Sequence, residues 1–523
     1  MICGKQRTQK QGLLPITTEL GYQQSFSQFR RMIHRIKELE QTALLLEPSA
    51  HERKETRKEV VTYTESFLKD IDKSMAYVHT ADKGVALLDS PVSEEPVSIR
   101  TALELLRAHV DTPGLNPASG GHLGYIPGGG LYFSALGDYM SDITNRYAGF
   151  FFCSPGAVRM ENMLVRWAAA LVGYPASAAG YLSSGGSIAS LSAIVTARET
   201  KGIRAREVEK GVIYLSAHTH HCIAKAIRLA GLGESVLRHV ALDAKRRIDP
   251  AALETQIEAD KQAGLNPWLV VASAGTTDTG AIDPFEAISV IAKKHELWYH
   301  IDAAYGGFFM LTQEGKQKLK GAELSDSIVL DPHKGLFLPY GLGMLIVKQA
   351  GDLQNAHQYT ASYMQDGKTD YEDELSPANL SPELTKHFRG LRMWLPLKLH
   401  GLKPFRAALE EKLLLAKYFE QEVRKLGFET GGEPELSVVT YRYLPKTKKA
   451  LSAEEINKFN AALVHEVQMD GRVFISSTTL DNVFTLRFAC LSFRTHLKTV
   501  DLLLKILKEK VKGLEKRIGD KKA

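Results

Sequence analysis

The sequence predicts an α/β fold. A mostly parallel central sheet is preceded by a helical segment and followed by a smaller α+β domain. Three observations carry this. Short β-branched runs alternate with helical stretches through the middle of the chain, the pattern of β-α-β units around a buried parallel sheet. The N-terminal zone places its apolar residues at helical spacing. The C-terminal zone mixes long amphipathic helices with a few strands. The expected boundaries are 1–115 for the helical segment, 116–395 for the large domain and 396–523 for the small one. That division suits 523 residues at roughly 100–200 per domain.

In order along the chain, Phe29, Met32, Ile33, Ile36 and Leu39 mark a first helix, and Val60, Tyr63, Phe67 and Ile71 a second. Ser98 is the expected N-cap of a third, with Leu103, Leu106 and Val110 on its apolar side. Residues 111–130 hold seven glycines and three prolines. Composition leaves a linker and a functional loop equally open there. Ser154-Pro155 opens a helix that ends near Gly173. Strands are expected at 212–216, 236–241, 268–273, 297–302, 327–330 and 343–347, with helical stretches such as 284–294 between several of them. In such sheets ligands bind at the carboxyl ends of the strands. The last zone predicts helices at 409–425 and 453–469 and strands at 437–443 and 483–488. Val500, Leu503, Leu504, Leu507, Val511, Leu514 and Ile518 form the apolar stripe of a final helix.

Composition narrows the function classes. With 44% hydrophobic and 24% charged residues, the chain has the profile of a soluble globular protein. Its apolar runs fall short of the ~20 residues a membrane span needs, and no apolar core follows the N-terminal charges as in a secretory signal. Cys3, Cys153, Cys222 and Cys490 lie far apart with no Cys-x-x-Cys pair. This argues against a disulfide framework and suits a reducing cytoplasm. Most of the net charge of +6 sits after residue 504, on the lysine face of the final helix. A solvated face is the simpler reading, so neither nucleic acid nor a membrane is an expected partner. Gly367-Lys368-Thr369 lacks the glycine a phosphate loop requires at position 362. His300 is one residue too far from His295-Glu296 for a zinc motif. The cluster His218, His220 and His221 has no accompanying ligand pattern, so no metal is expected.

What remains is a set of residues at the ends of expected elements. Lys334, in Asp331-Pro332-His333-Lys334-Gly335, follows strand 327–330. A lysine at the mouth of a buried sheet is unusual unless its amine is neutralised or used covalently. Asp302 ends strand 297–302 and precedes Ala303-Ala304-Tyr305. Ser184-Gly185-Gly186-Ser187 leads into a helical run, and free N–H groups at a helix start make a phosphate site. Each has an ordinary structural reading alone. Together they suit pyridoxal phosphate, which needs an amine for its aldehyde, a cradle for its phosphate and a carboxylate against its pyridine nitrogen. His220 is placed to stack on one ring face and Ala304 to pack on the other.

The run Asp331-Pro332-His333-Lys334 with Asp302-Ala303-Ala304-Tyr305 resembles the group II pyridoxal-phosphate-dependent amino-acid decarboxylases, which include the aromatic-L-amino-acid, tyrosine and tryptophan enzymes. The similarity extends from about Gly121 to the end through Ser184-Gly185-Gly186-Ser187, Gly275-Thr276-Thr277, Phe388-Arg389-Gly390 and Leu486-Arg487-Phe488. It implies a fold-type I large domain, a homodimer, and a carboxy-lyase that turns an amino acid into its amine and CO2. It further implies that Lys334 forms the imine with the cofactor and that Asp302 pairs with the ring nitrogen. His220 would stack on the ring, Gly186 and Ser187 would hold the phosphate with His333 nearby, and Thr277 would line the site. Asp331 stands where many relatives have Asn, and a carboxylate there repels a phosphate unless it points elsewhere. Tyr363 matches the loop tyrosine that returns a proton to the substrate Cα. Tyr125, Ile126, Pro127 and Gly128 match the segment that reaches the substrate side chain. The first three favour an aromatic or apolar amino acid, whereas Gly128 widens the wall and leaves other amino acids open. A carbon–carbon lyase or aldehyde synthase on the same fold is the alternative, and a non-catalytic scaffold the remotest.

Overall fold

The computed structural model describes residues 19–358, 374–446 and 450–520, with side chains between 26 and 518 in those ranges. The chain forms two compact units, one of residues 1–69 with 92–106 and one of 70–91 with 107–523. The first contains helices Glu19–Ala43, Ala50–Asp70 and Ile99–Leu106. Ser98 caps the third as expected, its hydroxyl accepting from the Thr101 N–H at 3.1 Å. Arg100 ties that helix to the second by a 2.7 Å ion pair with Glu59. Phe29, Met32, Ile33, Ile36 and Leu39 are exposed.

Among the described residues, the larger sheet of the second unit has seven strands. They are β1 (Ala179–Ser183), β2 (Gly211–Ser216), β3 (Val236–Val240), β4 (Asn266–Ser273), β5 (Trp298–Ala303), β6 (Ser327–Leu330) and β7 (Gly343–Val347). Their spatial order is β1-β7-β6-β5-β4-β2-β3. Every pairing is parallel except those of β7, which runs antiparallel to both β1 and β6. Six strands lie where the β-branched runs predict them. β1 does not announce itself, because Ala179-Gly180-Tyr181-Leu182-Ser183 has no β-branched residue. Its assignment comes from packing: all five residues are buried, and a side chain on Gly180 would strike the Leu345 carbonyl of β7. Alternate residues feed two apolar cores, one including Leu182, Val270, Ile301 and Met344 and the other Tyr181, Ile213, Leu269 and Leu345. Helix Pro155–Val172 starts at its proline and ends on Gly173 at φ 92°.

A second sheet contains β8 (Phe428–Thr430), β9 (Val438–Tyr443), β10 (Phe474–Leu480) and β11 (Val483–Ala489) in the order β8-β9-β11-β10. The two-residue strand His122–Leu123 pairs in parallel with β10. The glycine-rich stretch 111–130 is therefore not a linker. Its centre is a buried sheet edge, and a side chain on Gly129 would collide with the Phe337 carbonyl. β10 went unpredicted because Ser476-Ser477-Thr478-Thr479 reads as a turn-rich stretch. Helices Lys403–Lys425 and Ala453–Asp470 enclose the predicted ranges. The final helix, Leu497–Asp520, buries Val500, Leu503, Leu507, Val511 and Leu514. No helix among the described residues is long and apolar enough to cross a membrane.

Candidate active site

The turns that follow β1, β2, β4 and β6, with the end of β5, meet around a cavity of about 270 Å³. Its wall includes Gly186, Ser187, His220, Thr277, Asp302, Ala304, Asp331, His333 and Lys334. Nine of the residues singled out from sequence thus converge on one space, as the ends of parallel strands require.

Lys334 sits in the short helix Pro332–Gly335, its Nζ 3.0 Å from Asp331 Oδ2. Burial is the largest single influence on its amine and works against the charge. Asp331 and Asp302 together outweigh it, so the pKa is raised above the ordinary lysine value. Asp331 is 1% exposed, and its Oδ1 has no hydrogen-bond partner. Asp302 Oδ1 accepts from the Ala304 N–H at 3.1 Å.

The two histidines are held neutral. Burial lowers the pKa of His220 despite Asp302 nearby, and it lowers that of His333. His333 Nδ1 lies 2.6 Å from the Leu342 carbonyl, which can only accept. The proton is therefore assigned to Nδ1, leaving Nε2 as an acceptor. His220 caps helix His221–Leu229, its Nδ1 accepting from the Cys222 N–H at 3.3 Å. That bond places the proton of the neutral ring on Nε2.

Gly185 has φ 152°, a conformation an L side chain would strain. It opens helix Gly186–Thr200, whose first N–H groups have no carbonyl within the helix to bond. A side chain on Gly186 would come within 2.8 Å of the Asp331 carboxylate. The turn is thus a cradle that only glycine leaves open, at the positive end of a helix. With an amine, two carboxylates and this cradle on one wall, the residues present fit pyridoxal phosphate.

Cys222 also lines the cavity, which sequence reasoning missed. Burial pushes its thiol up to about 12, so it stays uncharged. The signal was its place two residues after His220, in the first turn of the same helix. Arg487 of β11 was quoted only as part of a motif. Its Nε donates to the Asp278 carbonyl at 3.0 Å, its Nη1 to Ser476 Oγ at 2.8 Å, and its Nη2 to the carbonyls of Thr277 and Tyr125. Tyr125, Ile126, Pro127 and Gly128 stand beside the cavity and do not line it. A side chain on Gly128 would approach the His333 carbonyl to 3.1 Å. Tyr125 takes a left-handed φ of 54° and packs its ring on Phe474 at 5.6 Å. Tyr363 lies outside the described residues.

A half-buried lysine and aspartate at strand ends, with a glycine turn at a helix start beside them, suit a pyridoxal-phosphate enzyme of the α/β class. The Pyridoxal-dependent decarboxylase conserved domain matches residues 110–444. An aromatic-L-amino-acid decarboxylase of Bacillus atrophaeus is 31% identical over 412 residues, covering 79% of this chain and 83% of that protein. A phenylacetaldehyde synthase of Petunia hybrida is 28% identical over 76% of this chain and 82% of its own length. Among solved structures, Oryza sativa TDC with PLP and tryptamine superposes with a TM-score of 0.85 at 24% identity, over 90% of this chain and 99% of that one. The chain belongs to the pyridoxal-dependent decarboxylase family. It is a carboxy-lyase of amino acids that uses pyridoxal 5'-phosphate.

Proposed function

We propose that the chain decarboxylates an aromatic L-amino acid to its amine, working as a cytoplasmic homodimer. The observation that carries the catalytic part is the convergence of Lys334, Asp302 and the Gly185-Gly186-Ser187 turn on one cavity. Pyridoxal phosphate supplies an aldehyde for the substrate amine and a ring that accepts the electron pair of the breaking Cα–carboxylate bond.

The residues have separate tasks. Lys334 would hold the cofactor through its amine. Asp302 keeps a proton on the pyridine nitrogen, because a carboxylate in a partly dry site stabilises a cation beside it. The N–H groups of Gly186 and Ser187 hold the phosphate, with His333 Nε2 available to accept a proton-bearing partner. His220 and Ala304 close the two walls, and Thr277 lines the space between. Tyr363 returns a proton to Cα after CO2 leaves.

The aromatic assignment draws support from the relatives' names and from the apolar segment Tyr125-Ile126-Pro127 beside the cavity. Tyr125 and Gly128 are held close to it through Arg487 and the His333 backbone. A second reading is an aldehyde synthase, favoured by the Petunia relative. The presence of Tyr363 argues for amine formation. The cytoplasmic reading draws on the free cysteines Cys153, Cys222 and Cys490. We assign dimerisation to the helical segment 1–115, with 116–395 binding the cofactor and 396–523 forming a small α+β domain. The exposed apolar residues of helix Glu19–Ala43 need a surface to cover.

The test supplies purified protein and pyridoxal phosphate with each amino acid in turn and measures CO2 and amine. Aromatic substrates should lead. Turnover confined to acidic or aliphatic amino acids would overturn the substrate assignment.

A further inference from the structure

We propose that Glu254, Glu258 and His295 bind a divalent transition-metal ion of the zinc class, which takes the place of the Lys294 ammonium and ties helix Pro250–Gln262 to the end of helix Phe285–Lys294. The site is separate from the cavity. None of the three residues lines it, and His295 lies just before β5 begins, at the end of that strand opposite Asp302.

Glu254 and Glu258 are four residues apart on one helix, so their carboxylates share a face. His295 caps the C-terminus of the other helix. Among the described residues, one ligand atom from each of the three lies within 4.8 Å of the other two. An ion bonded to nitrogen and oxygen at ~2.1 Å sets such atoms roughly 3–3.5 Å apart. Glu254 is half-buried and Glu258 exposed, so rotation of their side chains closes that difference.

Two carboxylates on a helix surface are common and indicate nothing by themselves. The histidine is different. His295 is 8% exposed, and its Nε2 has no hydrogen-bond partner. That nitrogen lies 3.9 Å from Glu254 Oε1, on the side of the carboxylates. The other nitrogen, Nδ1, lies 3.1 Å from Lys261 Nζ. An ammonium only donates, so Nδ1 accepts and the ring proton is assigned to Nε2. A buried N–H without an acceptor costs stability, and a bond from that nitrogen to a metal removes the cost.

A cation already stands between the carboxylates. Lys294 Nζ is 2.6 Å from Glu254 Oε1 and 3.3 Å from Glu258 Oε1. It cannot serve His295, because an ammonium and a ring N–H are both donors. Lys294 is exposed, and surface ion pairs contribute little, so an ion that makes three bonds displaces it. As the ion binds, His295 Nε2 gives its proton to water and its lone pair to the metal. Nδ1 takes a proton from water while Lys261, also exposed, turns to solvent. The ring stays neutral and no net proton is released. Each glutamate supplies one oxygen, so two negative charges balance the ion's two positive ones, and water completes the shell. No electron is transferred. An imidazole beside carboxylates suits zinc and its neighbours, whereas magnesium and calcium take oxygen ligands.

The experiment dialyses the cofactor-loaded full chain against Zn2+, for wild type, His295→Gln, Glu254→Gln and Lys294→Met. Zinc held elsewhere, as by the exposed Cys153 thiol, is common to all four and cancels. Loss of an outer-shell partner typically weakens a metal by about 10–100-fold, and loss of a ligand should cost at least as much. His295→Gln and Glu254→Gln should therefore bind zinc at least about tenfold more weakly than wild type. Lys294→Met removes the competing cation and should bind zinc about three- to thirtyfold more tightly. A purely structural role for Lys294 would give no such gain. Zinc should also raise the thermal midpoint of wild type and Lys294→Met but not of Glu254→Gln, since a ligand of the folded state stabilises it. Glu254→Gln, at the surface, keeps the test decisive should His295→Gln fail to fold. Equal zinc affinity in wild type and Glu254→Gln, or no gain in Lys294→Met, would overturn the site.

Discussion

Lys334 can attack an aldehyde only as a free amine, yet Asp331 and Asp302 hold it charged in the unloaded cavity. The two carboxylates therefore separate in role by position. Asp331 lies against Gly186, where the phosphate would sit, and Asp302 lies near the end of β5, where the ring would. Replacing Asp302 by Asn keeps the shape and removes the charge. A buried pair broken on one side loses about 3–5 kcal/mol, which is about 10²–10⁴ in rate if it falls on the transition state. We expect Asp302→Asn to keep its cofactor, followed by absorbance, and to lose turnover in that range. A variant within about threefold of wild type would remove Asp302 from the ring. Tyr363→Phe should still release CO2 but form amine about 10²–10⁴ more slowly, with aldehyde and peroxide rising under air. Amine at the wild-type rate without peroxide would send the search for the donor to His220.

At the scale of elements, the cavity depends on loops tied down from the other sheet. Arg487 on β11 gathers the carbonyls of Thr277, Asp278 and Tyr125. Asp278 is held a second time by Thr478 Oγ at 2.8 Å on β10. A charged hydrogen bond contributes about 1.5–3 kcal/mol, and Arg487→Met removes several at once. Its unfolding free energy in urea should drop by about 3 kcal/mol or more, and its cofactor Kd should rise because Thr277 lines the cavity. Unchanged values for both would mean that water satisfies these carbonyls equally well.

At the scale of the molecule, buried histidines set the response to acid. Burial lowers His122 to about 4 and His300 to about 4, against about 6.5 in an unfolded chain. Between those values the unfolded chain binds more protons than the folded one. The stability each histidine contributes is complete above pH 6.5 and is lost toward pH 4, by about 1.4 kcal/mol per pH unit. His122 is 2% exposed, and its ring meets Phe474 edge-on at 6.0 Å. His122→Phe keeps an aromatic ring there and removes the titration. Its unfolding free energy, followed from pH 6.5 to pH 4.5, should fall less steeply by that amount. An unaltered slope would show that His122 titrates in the folded protein as it does when unfolded.

The residues that converge on the cavity, and their order, were readable from the sequence alone. Lys334 and Asp302 stand at the ends of β-branched runs and the Ser184–Ser187 turn at the start of a helical run, and a parallel sheet puts the ends of its strands on one edge by its own geometry. Local chemistry also announced the Ser98 cap, the helix between Pro155 and Gly173, and the stripe of the final helix. Tertiary packing alone decided the rest. β1 is a strand because Gly180 lets β7 approach, and no propensity in Ala179–Ser183 says so. The glycine-rich stretch became a sheet edge because β10, itself rich in serine and threonine, offered His122 and Leu123 a partner. The approach of Gly186 to Asp331 joins segments distant in the chain. Burial assigns its unpaired oxygen, and burial is a property of the assembled fold that no spacing of residues encodes.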